Sequence, residues 1–182
     1  MKLIDLLDKF LHWLIWSPYQ LEKHLNMSPS TDNNPQVPVQ VEPSNADKFV
    51  AAAKAALGQN LSQGTGVPYY VACALSVNVV HHNAFGFPIG GGASTEELYK
   101  ALISSPYFKK TDTPTPGCVV ISPTGFGTKP EYPHGHVGII GKYGICSNDS
   151  STGIFSENYT VDSWNHQFST IEGYPVFYFE RI

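Results

Sequence analysis

"GHVGIIGKYGICSN", Gly135 to Asn148, holds two short β-branched runs joined by a tight turn around Lys142–Gly144. Runs of this length and composition, bounded by Gly and a polar pair, predict two adjacent antiparallel strands. Upstream, "PGCVVISP" is a third such run, and "YPVFYFERI" closes the chain as a fourth. Everything between Asn45 and Thr113 reads instead as helices and loops. "SNADKFVAAAKAAL" has alanine-rich propensity, Asn45 placed as its cap and Gly58 past its end. A second helix is predicted from about Val71 to His82. "STEELYKALISS" is a third, with Ser94 or Thr95 as cap and Glu97 as a first-turn acid. Helices first and strands afterwards predict an α+β domain with an antiparallel sheet.

The remainder of the chain has another character. "MKLIDLLDKFLHWLIW" carries Leu3, Leu6, Leu7, Phe10, Leu11 and Leu14 at the spacing of one helical stripe. Asp5, Asp8 and Lys9 interrupt it, and no small-residue cleavage site follows, which argues against a Sec signal peptide. The run is also short of the roughly 20 apolar residues a spanning helix needs. It is expected to dock on protein or to lie on a membrane surface with Trp13 and Trp16 at the interface. "MSPSTDNNPQVPVQVEPSN" is an extended Pro-rich tether. The predicted organisation is therefore an amphipathic helix over 1–27, a linker over 28–45 and a domain over 46–182.

Of the 182 residues, 14% are charged, against roughly 25% in an average soluble protein. The net charge of −4 and the absence of a Lys/Arg run remove the usual footprint of a nucleic-acid binder. Three cysteines, Cys73, Cys118 and Cys146, cannot all pair within one chain, and all three are read as reduced. No zinc spacing joins Cys73, His81, His82 and Cys146, so no metal site is expected.

Cys73 lies in "PYYVACALSVNVV", where a Gly/Pro-rich loop becomes the second helix. A cysteine in an apolar helix is by default a packed core thiol. At a helix N-terminus, however, unpaired N–H groups and the helix dipole favour its anion and can hold an oxyanion. Its partner imidazole must come from elsewhere. His136 opens the "HVGIIG" strand with Gly135 and Gly138 beside it, while His134 is a rival in the preceding loop. Counting outward from the Lys142–Gly144 turn sets Asn148 roughly opposite His136, with Asp149 as the fallback orienting group.

Taken in order, "ACALSVNVV", "PGCVVIS", "HGHVGIIG" and "CSNDSSTG" resemble the NlpC/P60 and CHAP group of papain-like cysteine peptidases and amidases, which act mainly on bacterial cell-wall peptides. The resemblance covers about Asp47 to Ile182 and is greatest toward phage- and prophage-type lytic enzymes. It implies a papain-like α+β fold with Cys73 as nucleophile, His136 as general base and then acid, and Asn148 as orienting residue. Tyr69 or Tyr70 would lean over the cleft. The implied substrate is a peptidoglycan stem peptide or its lactyl amide, reached from the cytoplasm through a holin, a virion or a secretion apparatus. Cys118 stands where that group's strand motif has Asp, and "VACAL" replaces its usual nucleophile signature. Two further readings stand beside this one: a non-catalytic wall or virion module, and an acyltransferase using the same Cys/His pair.

Overall fold

The computed structural model describes residues 42–182; the amphipathic segment 1–27 and nearly all of the tether lie outside the described residues. Helix α1 (Asn45–Ala56) is capped by Ser44, not by Asn45 as the sequence suggested. Ser44 Oγ accepts from Asp47 N at 3.1 Å and Ser44 N donates to Asp47 Oδ2 at 3.2 Å, a reciprocal capping box. Asn45 donates instead to the carbonyl of Ile182, tying the start of the helix to the end of the chain. Phe49, Ala53 and Ala56 form its buried stripe.

A short 3₁₀ turn, Tyr69–Val71, leads into α2 (Cys73–Phe85). The predicted helix over 71–82 is thus displaced by two to three residues, because Val71 and Ala72 close the tighter turn onto Pro68 and Tyr69. Gly86, at φ 83°, ends α2 in the left-handed conformation that suits glycine. Helix α2 is buried on most sides. Asn78 staples the following loop to it, accepting from Gly90 N and donating to the carbonyls of Gly90 and Gly92. Helix α3 (Thr95–Ser104) is capped by Ser94 and buries Leu98 and Leu102. Among the described residues no helix is long and apolar enough to cross a membrane.

Six strands form one antiparallel sheet: β1 (Phe108–Thr111), β2 (Val119–Ser122), β3 (His136–Ile140), β4 (Ile145–Asn148), β5 (Phe155–Tyr159) and β6 (Phe177–Arg181), in the order β1-β6-β2-β3-β4-β5. The α+β class expected from the sequence is observed. Strands β1 and β5 were not expected. Both are edges, and "FKKT" and "FSENY" each bury essentially one phenylalanine while showing polar groups to water. Charge on an edge discourages pairing with another chain and at the same time erases the apolar pattern of a strand.

The interior strands β2, β3 and β4 are buried along their whole length because both faces of the sheet are covered. On one face Val119, Ile121, Val137, Ile139 and Cys146 pack with Phe49, Val77, Leu98 and other side chains of α1, α2 and α3. On the other, Val120, Ile140 and Ile145 pack with Trp164, Phe168 and Tyr174. Trp164 and Phe168 of that second layer come from α4 (Val161–Trp164), capped by Thr160, which runs directly into the π-helical turns Asn165–Ile171, and Tyr174 comes from the loop after them.

Candidate active site

Residue alternation decides where the two key side chains go. In β3, Val137 and Ile139 face the helices, so His136 faces the aromatic layer. The β3–β4 register pairs Ile140 with Ile145, Ile139 with Cys146 and Gly138 with Ser147. Continued outward, it sets Asp149 across from His136 and Asn148 across from Val137. This corrects the expected His136–Asn148 pairing by one residue. The loop is an even-numbered one, Gly141 to Gly144, closed by Gly141 N donating to the Gly144 carbonyl at 2.7 Å. A count centred on Tyr143 or Lys142 therefore slips by one, and a one-residue slip exchanges faces.

Cys73 is the first residue of α2 and is buried. The first intrahelical bond runs from Ser76 N to Ala72 O, which leaves the N–H groups of Cys73, Ala74 and Leu75 without helical acceptors. Burial pushes the thiol up to about 11, against the opposing pull of the Ala74, Val137 and Cys73 backbone N–H groups.

His136 is the first residue of β3, and its ring lies stacked on Trp164 at 5.3 Å and on Phe168 at 5.4 Å, with Tyr159 edge-on. Burial pushes the imidazole down to about 4, with the Asp149 carboxylate acting weakly the other way. The loop before β3 is pinned in turn. Gly135 N donates to Thr124 Oγ1, and Thr124 N donates to Thr95 Oγ1 at the head of α3. A Cβ at Gly135 would fall 2.0 Å from the Ser122 carbonyl, so only glycine fits there.

The two side chains come from opposite faces of the sheet, yet both open onto one cleft of about 940 Å³ at the ends of α2, β3 and β4. Asn148, Asp149, Tyr70 and the rival His134 line it as well. Cys73 and His136 share no direct hydrogen bond among the described residues, and each is held in its neutral form.

Asn148 does not orient His136. Its Nδ2 donates to the Tyr69 carbonyl at 2.8 Å, fixing the 3₁₀ turn ahead of Cys73, and its buried Oδ1 has no partner. Asp149 shares His136's face. Its carboxyl is engaged by Ser151 N and Oγ, which hold it below the usual carboxylate range. Tyr69 and Tyr70 stand exposed beside the cleft, edge to face at 5.6 Å.

The loops "SPTGFGTKPEYPHG" and "STGIFSENYTVDSW", expected from the sequence to flank the site, contribute Thr124, Ser151, Asn158 and Tyr159 to the cleft, whereas the Ser94–Thr95 head of α3 reaches it only through the fold. Trp164 and Phe168 had a signal, a four-residue spacing of aromatics in "DSWNHQF" that fits one helical face. Among the described residues no group of three or more His, Cys, Asp or Glu is placed to hold a metal ion. Comparison with family models, curated proteins and solved structures gives no match for this chain.

Proposed function

We propose that this chain is a cysteine hydrolase of the papain-like NlpC/P60 and CHAP kind, cutting an amide bond in a cell-wall stem peptide. The observation that carries the reading is the shared cleft: a cysteine opening one helix and a histidine opening one strand face the same cavity. Because both groups rest neutral, proton transfer accompanies attack rather than preceding it. His136 takes the Cys73 proton as the sulfur adds to the amide carbonyl. The unpaired N–H groups at the start of α2 receive the developing oxyanion. The imidazolium then protonates the leaving amine, and water activated by the same ring releases the acyl group from sulfur. Asp149, on the same face, supports the imidazolium, and Asn148 acts through the Tyr69 carbonyl as a positioning residue.

A second reading is a wall-binding module that keeps the fold without the chemistry. The neutral, unbonded Cys73 and His136 favour it. Digestion of purified peptidoglycan separates the two. Wild type is expected to release defined fragments by mass spectrometry, and Cys73→Ala and His136→Ala to release none. Silence from wild type on several wall types would remove the hydrolase reading and leave the module.

A further inference from the structure

Two threonines on the cleft wall carry one more hydroxyl hydrogen than the protein has acceptors for. Thr95 opens α3 and is 4% exposed, Thr124 follows β2 by two residues, and both line the cleft. Their oxygens lie 2.8 Å apart, so one hydroxyl donates to the other. Thr95 Oγ1 also accepts from Thr124 N at 3.0 Å, and Thr124 Oγ1 accepts from Gly135 N at 2.9 Å. Whichever oxygen receives the shared hydrogen therefore accepts twice and keeps a hydrogen of its own. That hydrogen has no acceptor among the described residues, so its partner is whatever fills the cleft.

Other donors on the wall are occupied. Asn148 Nδ2 donates to the Tyr69 carbonyl, Asn158 Nδ2 to Ser147, and Ser151 Oγ to Asp149. Ser94 and Ser150 are exposed and are served by water. Asp149 and Glu172 bring carboxylate oxygens, which accept, and Tyr70, Val71, Ala93 and Phe168 bring apolar surface. A pinned neutral donor beside apolar walls suits a neutral oxygen attached to hydrocarbon, such as a peptide carbonyl.

Its place is set by three consecutive residues. Gly135, held by Thr124, precedes His136, and Val137, whose N–H pulls on the Cys73 sulfur, follows it. Two residues of strand rise about 7 Å, so the donor stands too far along for the carbonyl under attack and within reach of its neighbour's. We propose that the Thr95–Thr124 pair is a specificity-determining donor that binds the carbonyl oxygen of the residue next to the scissile amide. Only the mention of a scissile amide rests on the hydrolase reading.

The test alkylates Cys73 with iodoacetylglycinamide and with N-isobutyliodoacetamide, which match in shape and differ in the terminal amide. Both rates are read at the Cys73 peptide by mass spectrometry, and their ratio cancels the reactivity of the thiol itself. Wild type is expected to react about 5-fold faster with the glycinamide reagent. Thr95→Val and Thr124→Val together are expected to bring the ratio to about 1, whereas either alone leaves a free hydroxyl hydrogen. Thr95→Ser with Thr124→Ser is expected to keep the preference. No preference in wild type, or one that survives the paired valines, overturns the proposal. The valines also strip Thr124 N and Gly135 N of their acceptors. Should that variant fail to fold, NMR of the two wild-type adducts decides: the Thr124 and Gly135 amide signals are expected to differ between them, and coincident signals overturn the proposal. Alkylation needs no turnover. A wild type that digests no wall yet keeps the threonine-dependent preference loses the hydrolase reading and keeps the donor, and the reverse result loses the donor alone.

Discussion

The two faces of the sheet are built differently, and each holds one half of the candidate site. The helical face is packed largely by aliphatic side chains from α1, α2 and α3, and its cysteine sits at a helix start where three N–H groups lack helical acceptors. The opposite face is a short aromatic layer: Trp164 and Phe168 from a segment that is α-helical for four residues and π-helical for seven, and Tyr174 from the loop that follows it. Its histidine rests against the paired rings of Trp164 and Phe168. One wall offers backbone dipoles to an anion, while the other removes water from a base. Each group is thereby kept neutral, the thiol by burial against weak dipolar help and the imidazole by burial against a weak carboxylate.

The largest expected effect is on the aromatic wall. Trp164 is fully buried, stacks on His136 and donates from Nε1 to Ser122 Oγ. Trp164→Ala is expected to cost about 3–5 kcal/mol in urea unfolding. The same substitution should also raise the His136 pKa by hydrating the ring, a shift readable by NMR titration. On the helical wall, Leu98→Ala is expected to cost about 2–5 kcal/mol with no change in the His136 titration, which separates the two layers.

The next effect is the pH dependence of stability. His136 has a folded value near 4 against an ordinary 6.5. Between those values the unfolded chain binds the proton and the folded one does not, so stability is full above about pH 6.5 and falls as pH drops toward 4. The loss is about 3 kcal/mol on the order of the shift, and His136→Leu should flatten most of that slope. His81, which is fully buried and also pushed down, adds a residual slope of the same sign.

Smaller again is the link between β4 and the turn before Cys73. Asn148→Ala removes the donor to the Tyr69 carbonyl and is expected to cost about 1–2 kcal/mol. It should lower turnover without moving the His136 titration; an altered titration would mean that Asn148 touches the ring after all. The smallest effect distinguishes the two claimants to the first helix cap. Ser44→Ala is expected to cost about 1 kcal/mol, and Asn45→Ala less, since Asn45 makes only its bond to the Ile182 carbonyl.

These contrasts explain what the sequence made legible. Strands β2, β3, β4 and β6 were readable because β-branched or aromatic runs ended at Gly, Pro or polar residues. The edges β1 and β5 were not, since exposed edges mix charge with one buried ring. The helical wall carried caps and glycine stops, so α1 and α3 were placed, with α1 off by one at its cap. On the aromatic wall the single i,i+4 pair Trp164 and Phe168 was too short a run to define a helix, and it lies where a four-residue α-helix passes into π-helical turns. Cys73, His136 and Asn148 were named from type and position, and the fold brings all three to one cleft. The His136–Asn148 pairing was off by one, and the fallback Asp149 lies across from His136 instead, because the count depended on whether the β3–β4 loop held an odd or even number of residues.

The central claim is that the cleft joins two neutral groups which only a bound substrate turns into a reacting pair. The rate of Cys73 alkylation by iodoacetamide as a function of pH, followed at the Cys73 peptide by mass spectrometry, tests it most directly. The account predicts slow modification at neutral pH, rising only above the ordinary thiol value of 9 and toward 11. A rate that holds level down to about pH 5 would reveal a thiolate already paired with imidazolium, and would contradict it.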